Sequence, residues 1–72
     1  MTFYKWLKNI LNDDTPEGDF ARDVYRDNKF PKQVSKWSDI EEYLSHTIAN
    51  ETVISSAKNA YYFYEKDKQH HN

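Results

Sequence analysis

TPEGDFARDVYRDNKFPKQ, residues 15–33, holds the start, the buried face and the end of one helix in a single run. Thr15 is a good N-cap, because its hydroxyl can accept from a backbone N–H that the first helical turn leaves without a partner. Pro16 suits the first helical position, and Glu17 and Asp19 favour the positive end of the helix dipole. Phe20, Ala21, Val24 and Tyr25 then fall on one side, while Arg22 and Arg26 share the other, each with an Asp three residues before it. Proline disfavours helical geometry in the residue before it, so the helix cannot pass Pro31. On this reading Pro31 stops the helix and fixes the turn, and Tyr25 and Phe30 enter the core. Asp27 bonds backbone N–H groups of the loop, as Asp often does in turns. Lys29 and Lys32 stay outside.

The same period extends in both directions. Upstream, Thr2 can cap a first helix in which Phe3, Trp6, Leu7, Ile10 and Leu11 make an apolar stripe at i, i+3, i+4, i+7 and i+8. Downstream, SDIE at residues 38–41 reads as a capping box, with Ser38 bonding a backbone N–H and Glu41 reaching back. Ile40, Tyr43, Leu44, Thr47 and Ile48 form the inner face of that third helix, and His46 lies outside. A last helix starts at Asn50 or Thr52. Val53, Ala57, Ala60, Tyr61 and Tyr64 line its inner side, Ile54 and Phe63 flank it, and Tyr62 falls opposite. The tail EKDKQHHN is expected to fray. One domain is therefore read over residues 1–68, with a disordered polar tail at 69–72.

Composition agrees with an all-α chain. One Gly and two Pro in 72 residues are too few for a turn-rich β fold. A chain this short buries only about 60% of its unfolded surface, and without cysteine no disulfide supports it. The core must come from side chains, and two Trp, six Tyr and four Phe give a few residues a large buried area each. No apolar run approaches the ~18 residues of a membrane helix. The first residues lack a signal-peptide pattern, and the absence of cysteine suits the cytoplasm, where the chain is expected.

Catalysis finds little support. Ser55 and Ser56 have no His close in sequence, Gly18 is the only glycine, so no phosphate-cradling loop exists, and Asp13 and Asp14 lack the alternating ligands of a calcium loop. His70 and His71 lie in the polar tail without partner ligands. No catalytic residue, metal or cofactor is expected. Binding remains. The formal net charge is −2, but it is uneven. Residues 20–36 set Arg22, Arg26, Lys29, Lys32 and Lys36 against Asp23 and Asp27, while Asp39, Glu41, Glu42 and Glu51 stand in residues 39–51 with no Lys or Arg.

The segments TFYKWL, DFARDVYRDNKFPK, EEYL and FYEK resemble the YozE family of small proteins from Gram-positive bacteria. Phe3, Tyr4, Leu7, Phe20, Ala21, Tyr25, Asp27, Phe30, Pro31, Lys32, Tyr43, Leu44, Tyr64 and Glu65 fit that family's pattern, and the last helix departs from it most. The resemblance implies a fold similar to the sterile alpha motif, with four or five short helices packed as two crossed hairpins. It implies no activity. The expectation is a non-catalytic protein-interaction module whose partner is another protein or a second copy of the chain. Its binding candidates are Arg22, Arg26, Lys29, Lys32 and Lys36 on a basic side, and Glu41, Glu42 and Tyr62 on the other. The alternative is a weak nucleic-acid binder using the basic 22–36 segment.

Overall fold

The computed structural model describes residues 1–47 and 50–69. Thr2 Oγ1 accepts from Lys5 N at 3.3 Å and opens α1, Phe3–Trp6, which tightens at once into a 3₁₀ turn over Leu7–Ile10. Thr15 Oγ1 accepts from Gly18 N at 3.0 Å and opens α2, Pro16–Arg26. Asn50 Oδ1 accepts from Val53 N at 2.9 Å and opens the longest helix, α4, Glu51–Gln69. Between them lies α3, Trp37–Thr47. The chain is thus all-helical among the described residues, and α4 packs on α1, α2 and α3 while α2 also rests on the 3₁₀ turn.

The core is largely aromatic. Phe3 is fully buried and lies 5.5 Å from the Tyr61 ring, 5.6 Å from Tyr64, and 6.3 Å from both Trp6 and Phe20. Leu7, Val24, Phe30, Ile40, Leu44 and Ala57 are buried with it, as are Ala21 and Ala60, whose lack of bulk lets the helices approach closely. Ile10, Tyr25, Val53 and Tyr61 are only half-buried and pack against this centre rather than within it. Each of these tyrosines must bring its hydroxyl to an acceptor, so part of the residue stays near the surface. Ile48 lies outside the described residues.

Gly18 settles how α2 meets the preceding segment. A Cβ built there would stand 2.1 Å from the Asp13 carbonyl oxygen and 3.1 Å from that of Ile10. Only a hydrogen at this position lets the first turn of α2 close on the end of the 3₁₀ turn.

Several sequence expectations need correction. Pro31 does not end α2. The helix ends at Arg26, because Asp27 takes an extended backbone (φ −93°, ψ 102°) and its own side chain caps the loop that follows. The capping box at Ser38 does not start α3. That helix begins two residues before the start such a box would give, at Trp37, where the Lys36 carbonyl accepts from Asp39 N and Ile40 N and the indole reaches Tyr61. Thr47 does not face inward. It is exposed, and its hydroxyl donates to the Tyr43 carbonyl of its own helix. Finally, the tail is helical through Gln69 instead of fraying from Glu65 or ending at 68, because Asp67 accepts from the buried Trp6 indole N–H at 2.7 Å. Residues 70–72 lie outside the described part.

Candidate functional site

The loop after α2 is built from inside outward. Phe30 is buried, with its ring 5.5 Å from Tyr43 and 6.2 Å from Tyr4. Tyr4 stacks on Tyr25 at 4.5 Å, and the Tyr25 hydroxyl donates to the Tyr4 carbonyl at 2.9 Å. Asp27 serves both ends of the loop. One carboxylate oxygen accepts from Lys29 N at 3.0 Å, and the other accepts from the Tyr43 hydroxyl at 2.5 Å. The Tyr43 hydroxyl and then the Lys29 amide hold the Asp27 carboxyl below its ordinary pKa. The same bond pushes the Tyr43 phenol upward. Tyr43, on the next helix, was missed as a partner for Asp27 because sixteen residues separate the two.

The basic segment is less available than its charge implies. The Arg22 side chain is half-buried and donates to the carbonyls of Leu11, at 2.5 Å, and Asp13, at 3.1 Å, while also pairing with Asp19. It ties α2 to the turn before it. Arg26 is exposed and pairs with Asp23 at 3.4 Å. Lys29, Lys32 and Lys36 are exposed, and Lys32 Nζ lies 5.6 Å over the Tyr4 ring. Glu41 and Glu42 are exposed on α3.

A different surface gathers around Tyr62. Trp37, Lys58, Tyr61, Tyr62 and Glu65 line an open groove of about 330 Å³ whose exposed lining is entirely apolar. Trp37 opens α3 and stands 5.7 Å from the Tyr61 ring. The Tyr61 hydroxyl shares its one proton between the Ser35 carbonyl, at 2.7 Å, and Glu65 Oε1, at 3.2 Å, which locks the floor of the groove. Burial, followed by the Glu65 charge, raises the pKa of that phenol. Tyr62 is 56% exposed and Phe63 50%, and their rings meet edge to face at 5.8 Å. Lys66 Nζ lies 5.4 Å over Tyr62. Tyr62 was singled out by its helical position. Trp37, Phe63 and Lys58 were not, since no local pattern joins the start of α3 to the middle of α4.

A second open groove, about 400 Å³, runs between the starts of α2 and α4 past Glu17, Glu51, Thr52, Ser55 and Asn59. Its Ser56 is buried and donates to the Thr52 carbonyl at 3.0 Å, and Glu17 accepts from Asn59 at 3.3 Å. These bonds are satisfied within the fold. Among the described residues no three His, Asp or Glu side chains gather as a metal site, and no helix is long and apolar enough to cross a membrane.

The family model described as YozE SAM-like fold matches residues 2–66, and the chain belongs to that family. No curated protein matches, and no solved structure does.

Proposed function

We propose that this YozE SAM-like chain is a non-catalytic, cytoplasmic protein-interaction module, and that its contact surface is the groove of Trp37, Tyr61 and Tyr62. The observation that carries this reading is the exposure of Tyr62 and Phe63 beside an apolar groove, in a chain whose other large rings are buried or half-buried. Burying one such side chain is worth roughly 1.5–3 kcal/mol. A small domain with a thin stability margin forgoes that twice on one helix, and a partner that covers the rings recovers it. Aromatic residues at the centre of a contact, ringed by charged stems such as Lys58 and Glu65, make the usual anatomy of a protein interface.

The nucleic-acid reading loses ground because Arg22 is spent inside the fold and Arg26 is paired. Lys29, Lys32, Lys36 and a released Arg26 would support a log–log salt slope of about −3.6 at most on a duplex. Capture from a Gram-positive bacterial lysate on the immobilised full chain tests the choice. It is run with and without nuclease, beside Tyr62→Ala and Lys29→Ala/Lys32→Ala variants. The expected result is one protein that resists nuclease and is lost only with Tyr62→Ala. Capture that vanishes with nuclease supports the nucleic-acid reading. Loss with the lysine variant alone moves the contact to the loop.

A further inference from the structure

We infer that the occupant of this groove is an acidic segment of another protein, one that seats an apolar or aromatic side chain against Trp37 and Tyr62 and sets carboxylates beside Lys58 and Lys66. The inference rests on the interaction reading above and adds the chemistry of the partner.

The groove's exposed lining is apolar, so its rings accept any large apolar side chain and discriminate poorly. Selectivity must come from the rim. Glu65 is the one carboxylate among the lining residues, and it is already engaged from both sides. The Tyr61 hydroxyl donates to Oε1, and Lys68 Nζ lies 3.3 Å from Oε2. That bond, before any other influence, raises the Lys68 pKa. Lys68 is thereby matched to Glu65, and its Nζ rests 5.3 Å over the Tyr64 ring.

Lys58 and Lys66 have no such match. Both are exposed, and neither makes an ion pair among the described residues. Lys58 lines the groove itself, and Lys66 is held over the Tyr62 ring that forms its edge. Two uncompensated cations flanking an apolar cleft, on a chain whose net charge is −2, are a local feature rather than a reflection of bulk charge. A basic segment would meet these cations with repulsion, and a neutral one would leave them idle. An acidic segment turns both into charge-assisted hydrogen bonds at the rim of an apolar contact.

A polyanionic strand would use the same rings and cations, but two lysines neutralise few phosphates and give weak, steeply salt-dependent binding. The most acidic helical face a second copy could bring is that of α3, where Glu41 and Glu42 stand without a large exposed apolar side chain beside them among the described residues.

The test selects short random peptides displayed on phage against the immobilised full chain. The recovered peptides are then titrated by fluorescence anisotropy against the wild type, Tyr62→Ala, Lys58→Glu/Lys66→Glu and the neutral Lys58→Gln/Lys66→Gln variant. Circular dichroism checks that each variant is folded, and oligo-deoxythymidine is titrated in parallel. The expected peptides carry Asp or Glu around an aromatic residue or Leu. Their affinity should fall about tenfold in the charge-reversed variant, less in the neutral one, and about tenfold in Tyr62→Ala. Basic or proline-rich peptides, lost in Tyr62→Ala but indifferent to the lysines, would overturn the acidic partner and leave the interaction groove standing. No selected peptide, or peptides indifferent to Tyr62→Ala, would overturn both. Tighter binding of the oligonucleotide than of any peptide would replace the protein partner with nucleic acid. A dimer that dissociates on Tyr62→Ala would replace it with a second copy.

Discussion

Asp27 closes the loop after α2 through two bonds of different origin, one to the Lys29 amide two residues on and one to the Tyr43 hydroxyl of the next helix. The first is legible in sequence, because Asp before a loop commonly bonds the backbone two residues later. The second required the fold. Because the folded carboxyl has a lowered pKa, the stability it contributes is present above the ordinary carboxylate value and is lost as pH falls through the folded value. Tyr43 has the opposite sign. Its raised pKa contributes stability below the ordinary phenol value that is lost as pH climbs through the folded one. Tyr43→Phe should therefore cost about 1 kcal/mol near pH 7, and the gap to wild type should narrow in acid, as pH falls through the folded value and Asp27 protonates. Urea unfolding along an acid series measures it; a gap that widens in acid would show that Asp27 is not the acceptor. Gly18 offers a second test at this scale. A glycine in the first turn of a helix costs up to about 1 kcal/mol against alanine, which is itself a sign of a packing reason. With the Asp13 carbonyl only 2.1 Å from the missing Cβ, Gly18→Ala should destabilise by about 1–3 kcal/mol instead of stabilising, read as a fall in Tm.

Helix existence followed from periodicity, whereas helix ends followed from contacts that periodicity does not contain. Thr2, Thr15 and Asn50 cap their helices where local chemistry places them. Ser38 had as good a local case and lost, because α3 starts at Trp37, ahead of it, with that indole packed on Tyr61. Among other ends, α4 is the clearest case. Residues 65–69 are polar and read as a tail, yet Asp67 gives the indole N–H of Trp6 its partner across sixty-one positions of sequence. Trp6 is 4% exposed, so removing that acceptor leaves a donor with poor access to water. Asp67→Ala should cost about 1–2 kcal/mol, lower Tm by several degrees, and alter Trp6 fluorescence. Lys68→Ala, which removes a surface pair and a cation over the Tyr64 ring, should lower Tm far less. Equal losses in the two variants would mean that the Trp6–Asp67 bond does not hold the end of α4.

Across the whole molecule, the aromatic residues divide into those that hold the helices together and those that face outward. The core list was readable because Phe3, Leu7, Phe20, Ile40, Leu44 and Tyr64 repeat at helical spacing and bury as expected. The candidate contact surface was readable only in part. Uneven local charge drew attention to the basic segment, but charge does not reveal that Arg22 bonds two backbone carbonyls. Tyr62 was visible as the ring opposite the stripe, whereas Trp37 joins it only because α3 packs on α4. If the division is functional, stability and binding should separate. Tyr62→Ala and Phe63→Ala remove large apolar groups from positions more than half or about half exposed, so each should change stability by about 0.5 kcal/mol or less. Tyr64→Ala removes a side chain that is 1% exposed, packs against Phe3 and Trp6, and donates to the Met1 carbonyl at 2.9 Å. It should cost about 3–5 kcal/mol, enough to unfold a marginal domain. Thermal melts of the three variants decide the matter. A large loss from Tyr62→Ala would make that ring part of the fold and remove the reason to read its groove as a contact. A negligible loss leaves an exposed aromatic edge that the chain does not need for folding, with two lysines beside it.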